Sequence, residues 1–388
     1  MNYDFVVISS GPSGQKAAVQ AAKAGKSVAL IERDQYLGGA CVHRGTIPSK
    51  TLRENALRVT HMRQNAKLAN FKLDEDVEMT TLIDRLDQVL KAHDTYMRKQ
   101  IERNNIDWLH GRASFVDSKT INLTSPNGNK KTITADNFVI AAGSYPRAPD
   151  NIPVDHEHIF DSDSILSILY LPKSLIVLGG GVIASEYASI FQALGVQVTM
   201  IDRYPHPLGF LDRDLTDKFL HAFETAGGKW LGETHVESVK WDGLSQVVCY
   251  CKDTDGKEIE ISAEKLLWAA GRIANVRELA IENAGLSLNE QGLISVDEDL
   301  RTNVPHIFAS GDVIGPPSLA STAMEQGRRA TCNALGISTN SMSNLIPSGI
   351  YSIPELSSIG LSETQAREKF GEVTVGRALF EEIARGQI

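Results

Sequence analysis

Residues 4–32 read DFVVISSGPSGQKAAVQAAKAGKSVALIE, and the order of residue types within them decides the fold. An apolar run of strand length gives way at SSGPSG to a small-residue helix ending at Gly25, and SVALIE then returns as a second strand. This is a βαβ unit with Ser9, Gly11 and Gly14 in the places of the G-x-G-x-x-G fingerprint and Glu32 closing the second strand. Glycines there let the backbone approach a pyrophosphate at the positive end of the helix, and a carboxylate at the strand end accepts hydrogen bonds from a ribose. Ser9 departs from the pattern at the first glycine, costing the turn some freedom while leaving the close-approach residue, Gly11, intact. Residues 174–202, SLIVLGGGVIASEYASIFQALGVQVTMID, repeat the design with Gly179, Gly181 and Ala184 in the fingerprint and Asp202 at the strand end. Eighteen residues separate Gly14 from Glu32 and eighteen separate Ala184 from Asp202, a match that argues for two dinucleotide sites in one chain.

Residues 37–50, LGGACVHRGTIPSK, follow the first unit directly. Gly38 and Gly39 let the main chain pass close to a flat ligand, Pro48 fixes φ at its place, and Lys50 stands nine residues past Cys41. This run resembles the active-site helix of the flavin-dependent pyridine nucleotide–disulfide oxidoreductases, whose pattern GGxCxxxxCxPSK carries a redox-active disulfide. Thr46 stands here at the second cysteine, so the resemblance implies that the outer thiol is kept and the sulfur against the flavin is lost. Without a dithiol, no internal disulfide relays electrons to a lipoyl, glutathione or thioredoxin-type substrate. Within the family, threonine at this place is similar to the members that move hydride between nicotinamides through FAD alone. Cys41 has three readings: a residual thiol near the flavin, a remnant of the ancestral pair, or a packing residue at a helix start. The second is preferred.

The same resemblance distributes roles along the chain. It implies FAD on the first unit, held by Ser9, Gly11, Gly14, Glu32 and its neighbour Arg33, with Gly39, Cys41 and Lys50 toward the ring. The backbone at Ala113 would lie beside the adenine. Ala142 and Gly143 match the small-residue strand end before the chain crosses to its next domain, and Gly271 matches the return. The aspartate of Gly311-Asp312 would bond the ribityl chain, and the helix near residues 321–324 would aim its N-terminus at the flavin. A carboxylate after an apolar strand is costly without such a partner, and the plainer alternative is a helix cap after Pro316. Lys50 would pair with Glu186 at the flavin edge and the nicotinamide ribose, against the plainer alternative of a surface ion pair. Gly179, Gly181, Ala184, Glu186 and Asp202 would hold NAD or NADP. Asp202 favours the free ribose hydroxyls of NAD, and Arg203 after it can accept the 2′-phosphate of NADP. Cys41, Thr46, Lys50 and Glu186 form the expected catalytic set.

The remainder bounds the class. At 388 residues, with 42% hydrophobic and 22% charged, the chain suits a globular protein of two to three domains. A net charge of −9 and the absence of a basic block argue against a nucleic-acid partner. No apolar run reaches bilayer length and the N-terminus opens directly into a strand, so a cytoplasmic protein with no membrane partner is expected. Four cysteines are too few for a disulfide scaffold; Cys249 and Cys251 alternate along a strand and are expected on opposite faces, with no metal site. Leu82, Leu86, Val89, Leu90, Met97 and Ile101 recur near a helical period, predicting a helical hairpin over residues 52–105 in which His61 and His93 are packing residues.

The expected fold is α/β: two Rossmann-like three-layer domains, for FAD and NAD(P), plus a partial α+β interface domain. Residues 1–148 and 271–343 are assigned to the FAD domain, 149–270 to the NAD(P) domain and 344–388 to the interface. The run IPSGIYSIPELSSIGLSE matches the opening strand of the family's interface domain, whose remaining part, with its His-Glu pair, is not in this sequence. The resemblance implies a homo-oligomer, which an incomplete interface sheet would weaken. The implied activity is FAD-dependent hydride transfer between NADPH and NAD. Its rivals are an NAD(P)H oxidase or diaphorase passing electrons to oxygen, quinone or dye, and a flavoprotein of impaired catalysis.

Overall fold

The computed structural model describes residues 1–69, 79–340, 342 and 345–387. The first unit opens with β1 (Asn2–Ile8), α1 (Pro12–Lys23) and β2 (Val28–Glu32). A short helix α2 (Gly39–His43) and the long α3 (Thr46–Leu68) and α4 (Met79–Arg103) lead to β3 (Asp107–His110). The two long helices lie where the hairpin is expected, with Leu82, Leu86, Met97 and Ile101 of α4 buried; the connection at residues 70–78 falls outside the described residues. A hairpin of β4 (Arg112–Asp117) and β5 (Thr120–Thr124) is followed by β6 (Lys130–Ile140).

The chain crosses through β7 (Ser144–Pro146) into the second unit, built from β8 (Ile159–Asp161), β9 (Ser174–Leu178), α5 (Val182–Ala193), β10 (Gln197–Ile201), α6 (Arg213–Thr225) and β11 (Lys229–Leu231). A meander of β12 (His235–Trp241), β13 (Val247–Lys252) and β14 (Glu258–Ala263) precedes β15 (Lys265–Trp268), which re-enters the sheet. The return strand β16 (Arg272–Ala274) lies antiparallel to β7. Then β17 (Ile307–Ala309) and α7 (Ala320–Ala334) complete the first unit, and β18 (Ser348–Ile350), β19 (Leu356–Ser358) and α8 (Glu363–Phe370) follow.

The first sheet runs β3-β2-β1-β6-β5-β4, with β17 also beside β6. Strand β6 is long enough to pair in two senses: residues 130–134 are antiparallel to β5, and residues 134–140 run parallel to β1. Alternate residues of β1 go to opposite faces, Phe5 and Val7 under α1 and α7, Val6 and Ile8 toward the side built from β4, β5 and residues 279–286. Both faces are covered, as a parallel sheet requires. The second sheet is parallel throughout, β11-β10-β9-β15-β8, with α5 and α6 on one face and the meander on the other. Among the described residues, no helix is long and apolar enough to cross a membrane.

One expectation fails here. Cys249 and Cys251 point to the same face of β13, both fully buried between the meander and the second sheet, with their sulfurs 3.4 Å apart. Residues two apart on a strand share a face, so it is neighbours in sequence that alternate.

Candidate active site

The carboxyl ends of β1 and β2, the α2–α3 segment, the first turn of α5 and the start of α7 converge on one cleft of about 510 Å³. Ligand crevices open at this end of a parallel sheet. Ser9 leaves β1 with φ of 83°, a left-handed conformation that serine adopts at some cost. A Cβ on Gly14 would collide with the Ser9 carbonyl oxygen, so only glycine lets α1 begin this close to the strand. Gly11 differs: it lines the cleft, yet among the described residues, its chain neighbours aside, no atom lies within 4 Å of where its Cβ would stand. The backbone there is bare in front of a helix N-terminus, which fits a diphosphate. Glu32 is buried and fixed from two sides, Oε2 accepting from the Ser10 amide at 2.8 Å and its hydroxyl at 2.7 Å, Oε1 from the Asp34 amide at 3.0 Å. A ribose reaching that wall meets an acceptor already oriented. These residues fit the adenosine diphosphate half of FAD.

At the centre, Lys50 Nζ lies 2.7 Å from Glu186 Oε2. The side chains are 27% and 5% exposed, which removes the surface-pair alternative. The second carboxylate oxygen accepts from the Tyr351 amide at 2.9 Å, and the Tyr351 ring lies beneath the ammonium, 4.8 Å from Nζ to the ring centre. Cys41 is a free, half-buried thiol that lines the cleft together with Thr46. Burial pushes its pKa above the ordinary thiol value and the Asp312 carboxylate adds to this, while Thr46 and the Lys50 ammonium oppose it.

Asp312 caps nothing. Its Oδ2 accepts from the Ser144 hydroxyl at 2.7 Å, and α7 begins at Ala320 without a side-chain cap. Ser144 Oγ in turn accepts from Arg272 Nε at 3.0 Å, and Arg272 also donates to the Ser144 carbonyl, Ser162 and Asp163 at 2.8 to 2.9 Å. One guanidinium thus ties the crossing ribbon β7–β16 to the loop after β8.

Of the residues singled out from sequence, Ser9, Gly11, Glu32, Arg33, Gly39, Cys41, Thr46, Lys50, Ala113, Ala142, Gly143, Glu186, Gly311 and Asp312 line the cleft. Gly14 lies beneath it. Gly179, Gly181, Ala184, Asp202, Arg203 and Gly271 stand outside it. In the second fingerprint Gly179 has φ of 122° and Gly181, like Gly11, meets no described residue beyond its chain neighbours within 4 Å of a Cβ. Asp202 Oδ1 accepts from the Tyr204 amide at 2.9 Å, and the Arg203 guanidinium stacks on the Tyr204 ring, 4.8 Å from its centre. Among the cleft residues given no role from the sequence are Tyr187 and Tyr351, while Arg272 is met there only beside Gly271 in the return segment. Tyr187 adjoins Glu186, so neighbourhood to a motif was its available signal. Tyr351 had none, because only tertiary docking brings it to Lys50.

A family model described as pyridine nucleotide-disulphide oxidoreductase matches residues 3–327, and the dimerisation-domain model of the same name matches residues 346–388. A soluble pyridine nucleotide transhydrogenase of Mycobacterium bovis is 41% identical over 389 residues, covering 100% of this chain and 82% of its own length. One of Pseudomonas aeruginosa is 39% identical over 388 residues, with the same coverage. Among solved structures, the HOCl-induced flavoprotein disulfide reductase RclA from Escherichia coli has a TM-score of 0.84 at 28% identity, covering 95% of this chain and 80% of that one.

Proposed function

The chain belongs to the pyridine nucleotide–disulphide oxidoreductase family, and on that footing we propose that it is an FAD-dependent transhydrogenase, passing hydride between NADPH and NAD without a redox-active disulfide. The observation that carries the reading is Thr46 lining the cleft with Cys41, where the family pattern holds a second sulfur, together with the Lys50–Glu186 pair. A threonine hydroxyl cannot enter a disulfide, so dithiol-dependent substrates lose their route while hydride transfer keeps its own. The relatives at 39% and 41% identity bear transhydrogenase names, which supports the same reading.

FAD, when bound, supplies a two-electron acceptor and donor of hydride. The chain's own residues supply placement and charge. Gly11 and the N-terminus of α1 would hold the diphosphate, Glu32 the ribose and Asp312 a hydroxyl of the linking chain. Lys50, fixed by Glu186 and Tyr351, keeps a positive charge at the cleft centre, where electron density is to accumulate. Asp202 and Arg203 offer a partner for either the free ribose of NAD or the 2′-phosphate of NADP. We assign residues 1–148 and 271–343 to the flavin half, 149–270 to the nicotinamide half and 344–388 to the interface segment.

The purified protein should retain yellow flavin and transfer reducing equivalents from NADPH to thio-NAD. Lys50→Met should slow bleaching of that flavin by NADPH about a hundredfold while flavin stays bound. Turnover of oxygen or dye with no transfer to thio-NAD would replace the reading by an oxidase or diaphorase. An unchanged bleaching rate in Lys50→Met would remove the role given to that charge.

A further inference from the structure

The two halves of the cleft belong to two units, and the chain passes between them through a ribbon of two short strands. Strands β7 and β16 pair over three residues each, Arg272 opposite Pro146 and Ala274 opposite Ser144. A two-stranded ribbon twists more than a wide sheet and holds an angle poorly by itself. What stiffens this one is a side chain. Arg272 Nε donates to Ser144 Oγ at 3.0 Å and Nη2 to the Ser144 carbonyl at 2.8 Å, both within the ribbon. Its Nη1 reaches out of the ribbon to Ser162 Oγ at 2.9 Å and Asp163 Oδ1 at 2.8 Å.

Both ends of that reach are rigid. Asp161 Oδ1 accepts from the amides of Asp163 and Ser164 and from the Ser164 hydroxyl, which closes the loop after β8 into a turn. At the other end the Ser144 hydroxyl donates to Asp312 Oδ2 at 2.7 Å, and Asn275 ties the ribbon to the chain just past β6 by donating to the Ala142 and Gly143 carbonyls. Asp312, Ser144, Arg272 and Asp163 thus form one line of bonds of 2.7–3.0 Å, and all four line the cleft. The Arg272 and Asp163 side chains are 23% and 21% exposed, so the pair is shielded without being sealed. Asp163 already offsets the charge of the guanidinium, and what that group adds is a planar fork that holds two partners at once, which a lysine cannot do. Packing of α3 onto the core of the second unit, through Leu52 and Ala56, makes another contact between the units. One contact is a pivot; a second fixes the angle.

We propose that Arg272 is a positioning residue for hydride transfer: by locking the Asp163 loop to Ser144 and Asp312, it sets the angle at which the nicotinamide unit faces the flavin unit. The proposal rests on the reading of the cleft as a flavin and nicotinamide site. Arg272→Met in the flavin-loaded full chain tests it. Flavin content and the calorimetric affinity for NAD should stay within about twofold of wild type, since each unit keeps its own site. The rate at which saturating NADPH bleaches the flavin should fall about thirtyfold with KM held, because a misplacement of about 1 Å can cost a hundredfold. NAD added to the oxidised protein should quench flavin fluorescence in wild type and leave it unchanged in the variant, a readout of ring contact that needs no turnover. Arg272→Lys, which keeps the charge and loses the fork, should behave as Arg272→Met does. Millimolar guanidinium chloride should restore part of the rate to Arg272→Ala, and sodium chloride of equal strength should not.

An Arg272→Met protein that bleaches at the wild-type rate, or whose flavin fluorescence answers NAD as the wild type's does, overturns the proposal. So does a full rate in Arg272→Lys, which would make the charge the cause, or a loss of flavin or of NAD affinity in Arg272→Met, which would make Arg272 a ligand contact. Wild-type protein that takes up no flavin or binds no nicotinamide dinucleotide sinks the reading of the cleft itself and this proposal with it, an outcome distinct from a wild type that turns over and a variant that keeps pace with it.

Discussion

Cys41 keeps a sulfur in the cleft, and its protonation decides what that sulfur can do. Burial holds its pKa above the ordinary value of 9.0, with the Asp312 carboxylate adding and the Thr46 side chain and Lys50 opposing. The thiolate is the nucleophile, so a raised pKa leaves Cys41 inert at neutral pH. Iodoacetamide at about pH 7 should label it far more slowly than a free thiol, the rate climbing only as pH passes above the ordinary value. The sign for stability agrees. A thiol whose folded pKa is raised contributes in full below the unfolded value, and that contribution is lost as pH rises through the folded one. Cys41→Ser should accordingly retain transfer from NADPH to thio-NAD. Rapid labelling at neutral pH, or loss of transfer in Cys41→Ser, would return the sulfur to the chemistry. The departure at Thr46 was legible from one letter, because a single residue type decides whether a dithiol exists. Its consequence for Cys41 was not, since the burial that raises the thiol, and the residue 312 carboxylate that adds to it, come only with the tertiary fold.

At the scale of elements, the two βαβ units were readable because their signals are local: strand, glycine turn, helix and acidic strand end lie within 30 residues of each other. What each glycine does was not readable. Gly11 and Gly14 look equivalent in the fingerprint, yet a Cβ at Gly14 would collide with Ser9 and a Cβ at Gly11 would meet no described residue beyond its chain neighbours. A further clamp comes from α7, where a Cβ on Gly327 would collide with the Ser13 carbonyl. Helix α1 is thus held between the β1 turn and α7 by two glycines that pair only in three dimensions. Gly14→Ala and Gly327→Ala should each cost about 2 kcal/mol or more, read as a lower urea midpoint. Gly11→Ala should leave that midpoint in place and reduce the flavin retained on purification. Equal destabilisation by all three would show that Gly11 serves the fold and not a ligand. Cys249 and Cys251 belong to this scale too: the strand is legible in the sequence, and its two-residue period turns both sulfurs to one face of β13.

Across the whole molecule, the charge at the cleft centre depends on three distant stretches: Lys50 from α3, Glu186 from α5, and Tyr351 just past β18. Sequence reading reached the first two through their motifs and saw residues after 344 only as an interface segment. The structure makes that segment a strap across both helices. Arg53, 9% exposed, donates to the Ser352 carbonyl at 3.2 Å and pairs with Glu355 at 3.0 Å, while Ser189 Oγ accepts from the Ile353 amide at 3.0 Å. The same strap presents the Tyr351 amide to Glu186 and its ring to Lys50, so whatever loosens residues 351–355 should loosen the ion pair. Arg53→Met keeps the apolar stem and removes the donors, leaving the fully buried Ser352 with an unpaired carbonyl, a loss of about 1–3 kcal/mol. Arg53 touches neither fingerprint, so flavin content and NAD affinity should hold. The rate at which NADPH bleaches the flavin should fall about tenfold, since misplacing a catalytic charge costs rate more than binding. Tyr351→Ala spares the amide and removes only the ring, so its effect should be smaller, the cation–π contact being worth about 1 kcal/mol at a half-exposed site. A full bleaching rate in Arg53→Met, with residues 351–355 newly open to protease, would detach the strap from the chemistry and leave it a fastening of the fold alone.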